Sequence, residues 1–410
     1  MNILTSINDR KSNTIITILN IIFCFSCFEI EYLYHFSKIF KFMYIFLQVC
    51  IVFSIMCFFY FKLKKINYFD IFVFIFIFFE FYSSSINHQI NISLLISTIK
   101  LLALFYTAKF GISYNVKQYV KVFANYLMII TFLNTISSIL VYPNALFYDQ
   151  SDLLSPLFFI GGDNTSIRIY ILCILFNFLN YNFLQTNFKI IITNLANMLL
   201  FCLVRDLGTG KVCWLIIVFG IIYLMLKKTK IPRNIIYIIL IVQIVLFVIL
   251  VLISNIDIFS YFIINVLNRD LTLTDRTVIW KITIEKIIQK PLFGNGYVYG
   301  KDFQRMLPYI IGVNAHNTYL MIMFIGGFVL FSVLIIIFII TIKKYDKRDH
   351  KKLMFILPLT LFVMMTRAQV EGGDINYIIF LVYMIYNYKN LERYTCSFKE
   401  RRKQIKCKIN

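Results

Sequence analysis

Acidic residues are scarce in this sequence: 20 Asp and Glu stand against 41 Lys and Arg, and charged residues of both signs make up only 15% of the chain. So little charge, beside 60% hydrophobic residues and a mean hydropathy of +0.77, excludes an ordinary soluble globular domain, whose apolar share is nearer one half. There is no second cysteine pair at zinc spacing to accompany Cys24 and Cys27. Those two, with Cys50, Cys57, Cys173, Cys202 and Cys213, lie in or at the ends of apolar runs and read as small hydrophobes rather than ligands. No module of interleaved basic and aromatic residues is present to read bases, so the net charge of +21 does not imply nucleic acid; the cations fall between apolar runs and in the tail, where membrane topology explains them. No small-residue cleavage site follows the first apolar run, which meets Glu29 and Glu31 instead, so it is expected to remain as an anchor. No internal repeat suggests a transporter built from two inverted halves.

What is present is a series of runs long enough to span a bilayer, which needs about 20 predominantly apolar residues. Twelve are expected, near 14–30, 43–61, 68–86, 92–110, 122–142, 167–184, 190–204, 212–226, 235–254, 317–342, 353–367 and 375–388. The fold class is therefore an all-α polytopic membrane protein of about 12 transmembrane helices, with one large outer loop carrying short amphipathic helices. The expected organisation is a helix bundle over 1–254, an extracytoplasmic loop over 255–316, further spanning helices over 317–388 and a basic cytoplasmic tail over 389–410. With the N-terminus inside, 27 of the 41 cations fall on cytoplasmic segments, which sets both termini in the cytoplasm. The tail cluster Lys399-Glu400-Arg401-Arg402-Lys403 then reads as topogenic and lipid-binding.

Outer segments that break this rule are informative. The loop over about 143–166 holds Asp149, Asp152 and Asp163 without a Lys or Arg. The loop over 255–316 is basic, with Arg269, Arg276, Lys281, Lys286, Lys290, Lys301 and Arg305, and a basic outer face suits an anionic partner. Within it, Thr274 or Asp275 can cap a helix that Pro291 ends. Trp280, Ile284, Ile287 and Ile288 share one face of that helix, which either lies in the membrane interface with Trp280 at headgroup depth or packs on the spanning bundle.

Arg276 sits in the first turn, where the helix dipole disfavours a cation; a bound anion would reconcile the two, and an exposed surface arginine is the alternative. His316 stands at the mouth of the helix beginning near Asn317, where the positive helix end favours neutral imidazole that can accept a proton; a capping or anchoring histidine is the other reading. Gly294, Gly296 and Gly300 allow a tight turn or a close approach to a ligand. In Arg205-Asp206-Leu207-Gly208-Thr209-Gly210-Lys211, Arg205 and Asp206 can neutralise each other, whereas Lys211 has no adjacent acid. Lys100 and Glu80 are the ionisable residues that a transporter or flippase reading would use.

Arg276 with Trp280, then Pro291-Leu292-Phe293-Gly294-Asn295-Gly296, then Ala315-His316-Asn317-Thr318-Tyr319-Leu320 entering an apolar helix, together resemble the signature of the O-antigen ligase and Wzy-type polysaccharide polymerase superfamily. Phe159-Ile160-Gly161-Gly162-Asp163-Asn164 also looks like a polymerase feature. The resemblance implies a metal-independent, inverting membrane glycosyltransferase without cofactor, in the bacterial plasma membrane, acting on an undecaprenyl-pyrophosphate-linked oligosaccharide among membrane lipid. A repeat-unit flippase and a chain-length regulator are the partners it implies. Carried over by position, Arg276 and Lys211, with Arg205 as a substitute, hold the pyrophosphate and His316 activates the acceptor hydroxyl, while Asn317, Gly294, Gly296 and Trp280 support the loop. Related sequences often have a Ser-Arg pair where this chain has Gly210-Lys211, and lysine meets a phosphate without the bidentate fork. The expected function is a repeat-unit polymerase for capsule, exopolysaccharide or O-antigen; transfer to another acceptor by an O-antigen ligase is the alternative, and a lipid or anion flippase a further one.

Overall fold

In a bilayer core every backbone N–H and C=O must bond within its own segment, so long apolar runs fold as helices. The computed structural model describes residues 2–62, 66–149, 155–184, 186–226, 234–252, 276–307, 314–345 and 352–393. Its helices are α1 (Asn2–Cys27), α2 (Glu31–Phe36), α3 (Lys38–Met56), α4 (Tyr68–Ile86), α5 (Ile92–Tyr114), α6 (Val116–Val141), α7 (Asp163–Leu184), α8 (Phe188–Val204), α9 (Gly208–Met225), α10 (Ile235–Phe247), α11 (Arg276–Gln289), α12 (Lys301–Met306), α13 (Thr318–Tyr345), α14 (Ile356–Ala368) and α15 (Ile375–Tyr386). A short hairpin, β1 (Phe147–Asp149) against β2 (Ser155–Leu157), joins α6 to α7.

All twelve apolar runs appear as helices: seven are long and apolar enough to span, and five shorter ones follow at Thr14–Cys27, Phe188–Val204, Ile235–Val251, Ile356–Ala368 and Ile375–Tyr386. The protein is an all-α polytopic membrane protein. Helix α7 and the pair α14–α15 run through the middle with nearly every residue buried, whereas α9 and α10 present large apolar side chains such as Phe219, Ile241 and Ile244 outward, as lipid-facing helices do. Thr274, Asp275, Arg269 and the tail cluster 399–403 lie outside the described residues.

Two local features set the geometry of the site. The first is a break in α13. Gly327 adopts φ +63 and ψ −162 inside the helix, and the segment after Pro291 clasps the break. Asn295 N–H donates to Phe324 O at 2.8 Å, Gly296 N–H to Ile325 O at 2.9 Å and Phe328 N–H to Pro291 O at 2.8 Å. Ser83 of α4 donates to both Phe293 O and Ile325 O. The glycines of the Pro-Gly segment thus approach the backbone of another helix rather than a ligand: a Cβ on Gly294 would come within 2.5 Å of Ile325 O. Because Gly327 has a positive φ and its Cβ would meet Leu292 O at 2.3 Å, Gly327→Ala is expected to cost at least about 1–3 kcal/mol. A lowered melting temperature in detergent, with the expression level falling in parallel, checks this.

The second is a buried ion pair at the far end of α4. Lys109 and Asp70 meet at 2.7 Å with 4% and 0% of their side chains exposed, and Lys109 Nζ lies 4.7 Å from the Phe59 ring and 4.9 Å from the Tyr60 ring. Asp70 also closes a capping box with Asn67 at the start of α4. Lys109 therefore does not serve as a loop cation; it is folded into the bundle.

Candidate functional site

Helix α11 buries Ile279, Trp280, Thr283 and Ile287 against α13. Trp280 is 1% exposed and its indole N–H donates to Ala315 O at 3.0 Å, so the interfacial alternative is corrected: the tryptophan is a core residue, and Ile288, 69% exposed, lies off the buried face. That bond places α11 directly beneath the segment 314–317.

The segment itself is tightly held. Asn314 Oδ1 accepts from His316 N–H at 2.7 Å, and Asn317, fully buried, caps α13 through Oδ1 to the N–H groups of Tyr319 and Leu320, both at 3.0 Å. The Asn317 amide also donates to Gln369 O at 2.8 Å. His316 has φ +46, a left-handed conformation that costs a non-glycine residue about 1 kcal/mol and persists only when its surroundings over-determine it. Here the bonds on either side do so, and they hold a half-buried imidazole at the start of α13.

Arg276 reaches the same place from the other side. Its Nη2 donates to Glu371 Oε1 at 2.9 Å, and Glu371 O in turn accepts from Thr318 Oγ1 at 2.8 Å. Arg276 and His316 are thus joined by two short bridges: Trp280 to Ala315, and Glu371 to Thr318. Next to them, buried Asp374 pairs with Arg367, which is fully buried and also donates to Asn164 O at 2.6 Å, and Arg168 stands 4.0 Å from the other Asp374 oxygen. Burial pushes the Asp374 carboxyl upward, while the Arg367 and Arg168 guanidiniums pull against it. Among the described residues no three of His, Cys, Asp and Glu converge as a metal site requires.

The remaining predicted cations pair differently from the sequence expectation. Arg205 does not neutralise Asp206: its Nε donates to Asp163 Oδ1 at 3.0 Å, its Nη1 to the carbonyls of Pro143 and Asn144, and it stacks 4.5 Å from the Phe158 ring. Lys211 is the residue that meets Asp206, at 2.5 Å, because Asp206 sits at φ +50 and turns back onto the first turn of α9. Arg205 is therefore a brace that ties Pro143, Asn144 and Asp163 to the end of α8. Lys211 stays at the head of α9, which packs against α14, the helix that carries Arg367.

Glu371, Arg367 and Asp374 were not anticipated. The available signal was the short segment 367–374, which places an arginine, two acids and two glycines between apolar runs that lack charge. An apolar groove of about 400 Å³ also opens beside the site between α10, α13 and α14, running from Gln369 and Tyr319 to Phe338 and Ile339.

Fold and site define a polytopic membrane protein in which the helix of Arg276 and the segment of His316 are bound together at one end of the bundle. Residues 196–335, from α8 to α13, match the model of the O-antigen ligase family, Wzy_C, and the matched stretch contains Arg205, Lys211, Arg276 and His316. Over that stretch, about a third of its length, the chain is similar to the O-antigen ligase family. No curated protein and no solved structure matches the chain at significant similarity.

Proposed function

We propose that the protein is a polysaccharide repeat-unit polymerase at the outer face of the bacterial plasma membrane, with both termini cytoplasmic. It transfers the growing glycan from undecaprenyl pyrophosphate to the next lipid-linked repeat unit. The observation that carries the reading is the junction of Arg276 with His316 through the Trp280–Ala315 and Glu371–Thr318 bonds.

Departure of the lipid pyrophosphate builds negative charge on its oxygens, and a guanidinium fixed at that point lowers the barrier directly. In the free protein Glu371 occupies Arg276; the pyrophosphate takes its place, a charge-for-charge exchange that leaves the arginine paired throughout. Lys211, at the head of α9, adds a second cation to the same anion. The acceptor hydroxyl has a high pKa, and neutral His316 takes its proton as the glycosidic bond forms. Attack opposite the leaving pyrophosphate inverts the anomeric carbon, and no metal is assigned a role. The apolar groove beside Tyr319 suits the hydrocarbon tail of a lipid substrate whose headgroup lies at His316.

The test is glycan length in cells carrying Arg276→Ala, His316→Ala or Lys211→Ala at matched membrane expression. Expected are loss of long chains and accumulation of single lipid-linked repeats at the outer face. Repeats held at the inner face would make the protein a flippase. Long lipid-linked chains with loss only of an acceptor-linked product would make it a ligase.

A further inference from the structure

Beyond the Arg276–His316 pair, a second group of polar and aromatic side chains continues from Asn314 across the same end of the bundle. Asn314 Nδ2 donates to the Tyr299 hydroxyl at 3.4 Å, and Tyr299 is 48% exposed. Arg168, partly exposed, stacks on Tyr377 with its guanidinium 4.9 Å from the ring, and it lies beside Gly373, next to the Gly372 against which Asn314 packs. Tyr377 stands near the start of α15, which packs against α5, the helix of Lys100; Lys100 and Glu29 pair at 2.8 Å with 34% and 14% of their side chains exposed. Glu31, at the head of α2, has its carboxylate beside Gly161, just before α7, the helix that carries Arg168.

Three properties identify what this band takes. Its charges cancel, Lys100, Arg168 and Arg367 standing against Glu29, Glu31 and Asp374, so a second phosphate would meet paired charges rather than an open cationic surface. It alternates aromatic faces with hydrogen-bonding groups, the combination that matches a sugar ring's C–H face and its hydroxyls. It is also contiguous with the histidine that receives the acceptor proton, since Asn314 bonds both Tyr299 and the His316 backbone. An ion pair such as Lys100–Glu29 is costly to keep in an apolar helix bundle unless it serves a site.

We propose that the band from Asn314 through Tyr299, Tyr377 and Arg168 to the Lys100–Glu29 pair is the subsite for the acceptor's saccharide, an uncharged oligosaccharide whose terminal hydroxyl is delivered to His316. This rests on the transfer reading above and extends it to residues outside the family-matched segment. Tyr377 and Tyr299 supply the stacking faces, Glu29 accepts from sugar hydroxyls, and Arg168 and Lys100 donate to ring and hydroxyl oxygens.

The experiment uses purified full-length protein in nanodiscs. Its probe is the water-soluble oligosaccharide that mild acid releases from the lipid-linked pool of the producing cells. Binding is followed by saturation-transfer NMR for wild type, Tyr299→Ala, Tyr299→Phe and Lys100→Gln, each first shown to be monodisperse with an unchanged melting temperature. Tyr299→Ala and Lys100→Gln are expected to weaken binding about tenfold, the loss of one stacking or charged contact, with Tyr299→Phe close to wild type. In the transfer assay the same variants raise the acceptor KM with kcat little changed. Unchanged oligosaccharide binding in both variants, with transfer intact, overturns the subsite and leaves the polymerase reading standing. An absence of transfer by wild type, with the oligosaccharide still bound at the band, overturns the polymerase reading and not the subsite. Protection of the band by a co-purifying protein, with no oligosaccharide bound, also overturns the subsite.

Discussion

His316→Ala is expected to lower glycan transfer about 10²- to 10⁴-fold, the range lost with a general base, while the protein accumulates in the membrane at the wild-type level. The segment is held by the Asn314 and Asn317 side chains and by the Trp280 indole. A sharper form of the test uses His316→Gly. Glycine adopts φ +46 without the penalty that a side chain meets there, so this variant is expected to be more stable than wild type by up to about 1 kcal/mol. If it is as inactive as His316→Ala, stability and activity have moved in opposite directions at one residue, and a merely structural histidine is ruled out. Transfer rates measured on purified protein, with melting temperatures alongside, decide it.

The second large effect is on the fold. Arg367 is entirely buried and holds both the Asp374 carboxylate and Asn164 O, which ties α14 and α15 to the start of α7. Arg367→Ala is expected to destabilise the protein by about 3–5 kcal/mol, because it leaves a buried carboxylate and a carbonyl without their principal partner. Removing the acid as well should recover much of that loss: Arg367→Met with Asp374→Asn is expected to be more stable than Arg367→Ala alone. The readout is melting temperature with yield of monodisperse protein. A double variant that fares worse than the single one would show that Asp374 is stabilised mainly by Arg168, at 4.0 Å, rather than by Arg367.

The helices were legible because apolar runs of membrane length leave the backbone no other way to bond, and each expected run from 14–30 to 375–388 coincides with a helix. The face that α11 buries was not fully legible. Thr283 looks polar, but its hydroxyl bonds Ile279 O of its own helix and so enters the core, which rotates Ile288 outward. The partners of the cations were harder still. Arg276 meets an acid 95 residues away and Arg205 one 42 residues away, separations at which sequence proximity carries no information. Even Asp206, adjacent to Arg205, turns to Lys211 because of a single left-handed residue. Adjacent charges in a sequence are a poor guide to pairing wherever the chain reverses between helices.

The Lys109–Asp70 pair constrains how the protein is made as well as how it stands. An unpaired lysine or aspartate adds roughly 2.5–3.5 kcal/mol to the insertion of a helix when it stands at the centre, and less near an end, where Asp70 and Lys109 both lie. Helix α4, carrying Asp70, precedes α5, carrying Lys109, with only a short turn between them. If α4 left the translocation machinery first, Asp70 would face lipid with no counter-charge. Entry of the two helices as a hairpin would avoid that exposure, and in the folded protein the joined charges lie beside the rings of Phe59 and Tyr60. The aromatic neighbours belong to the segment that follows α3, so the order of synthesis puts the cage in place before the ion pair that it encloses.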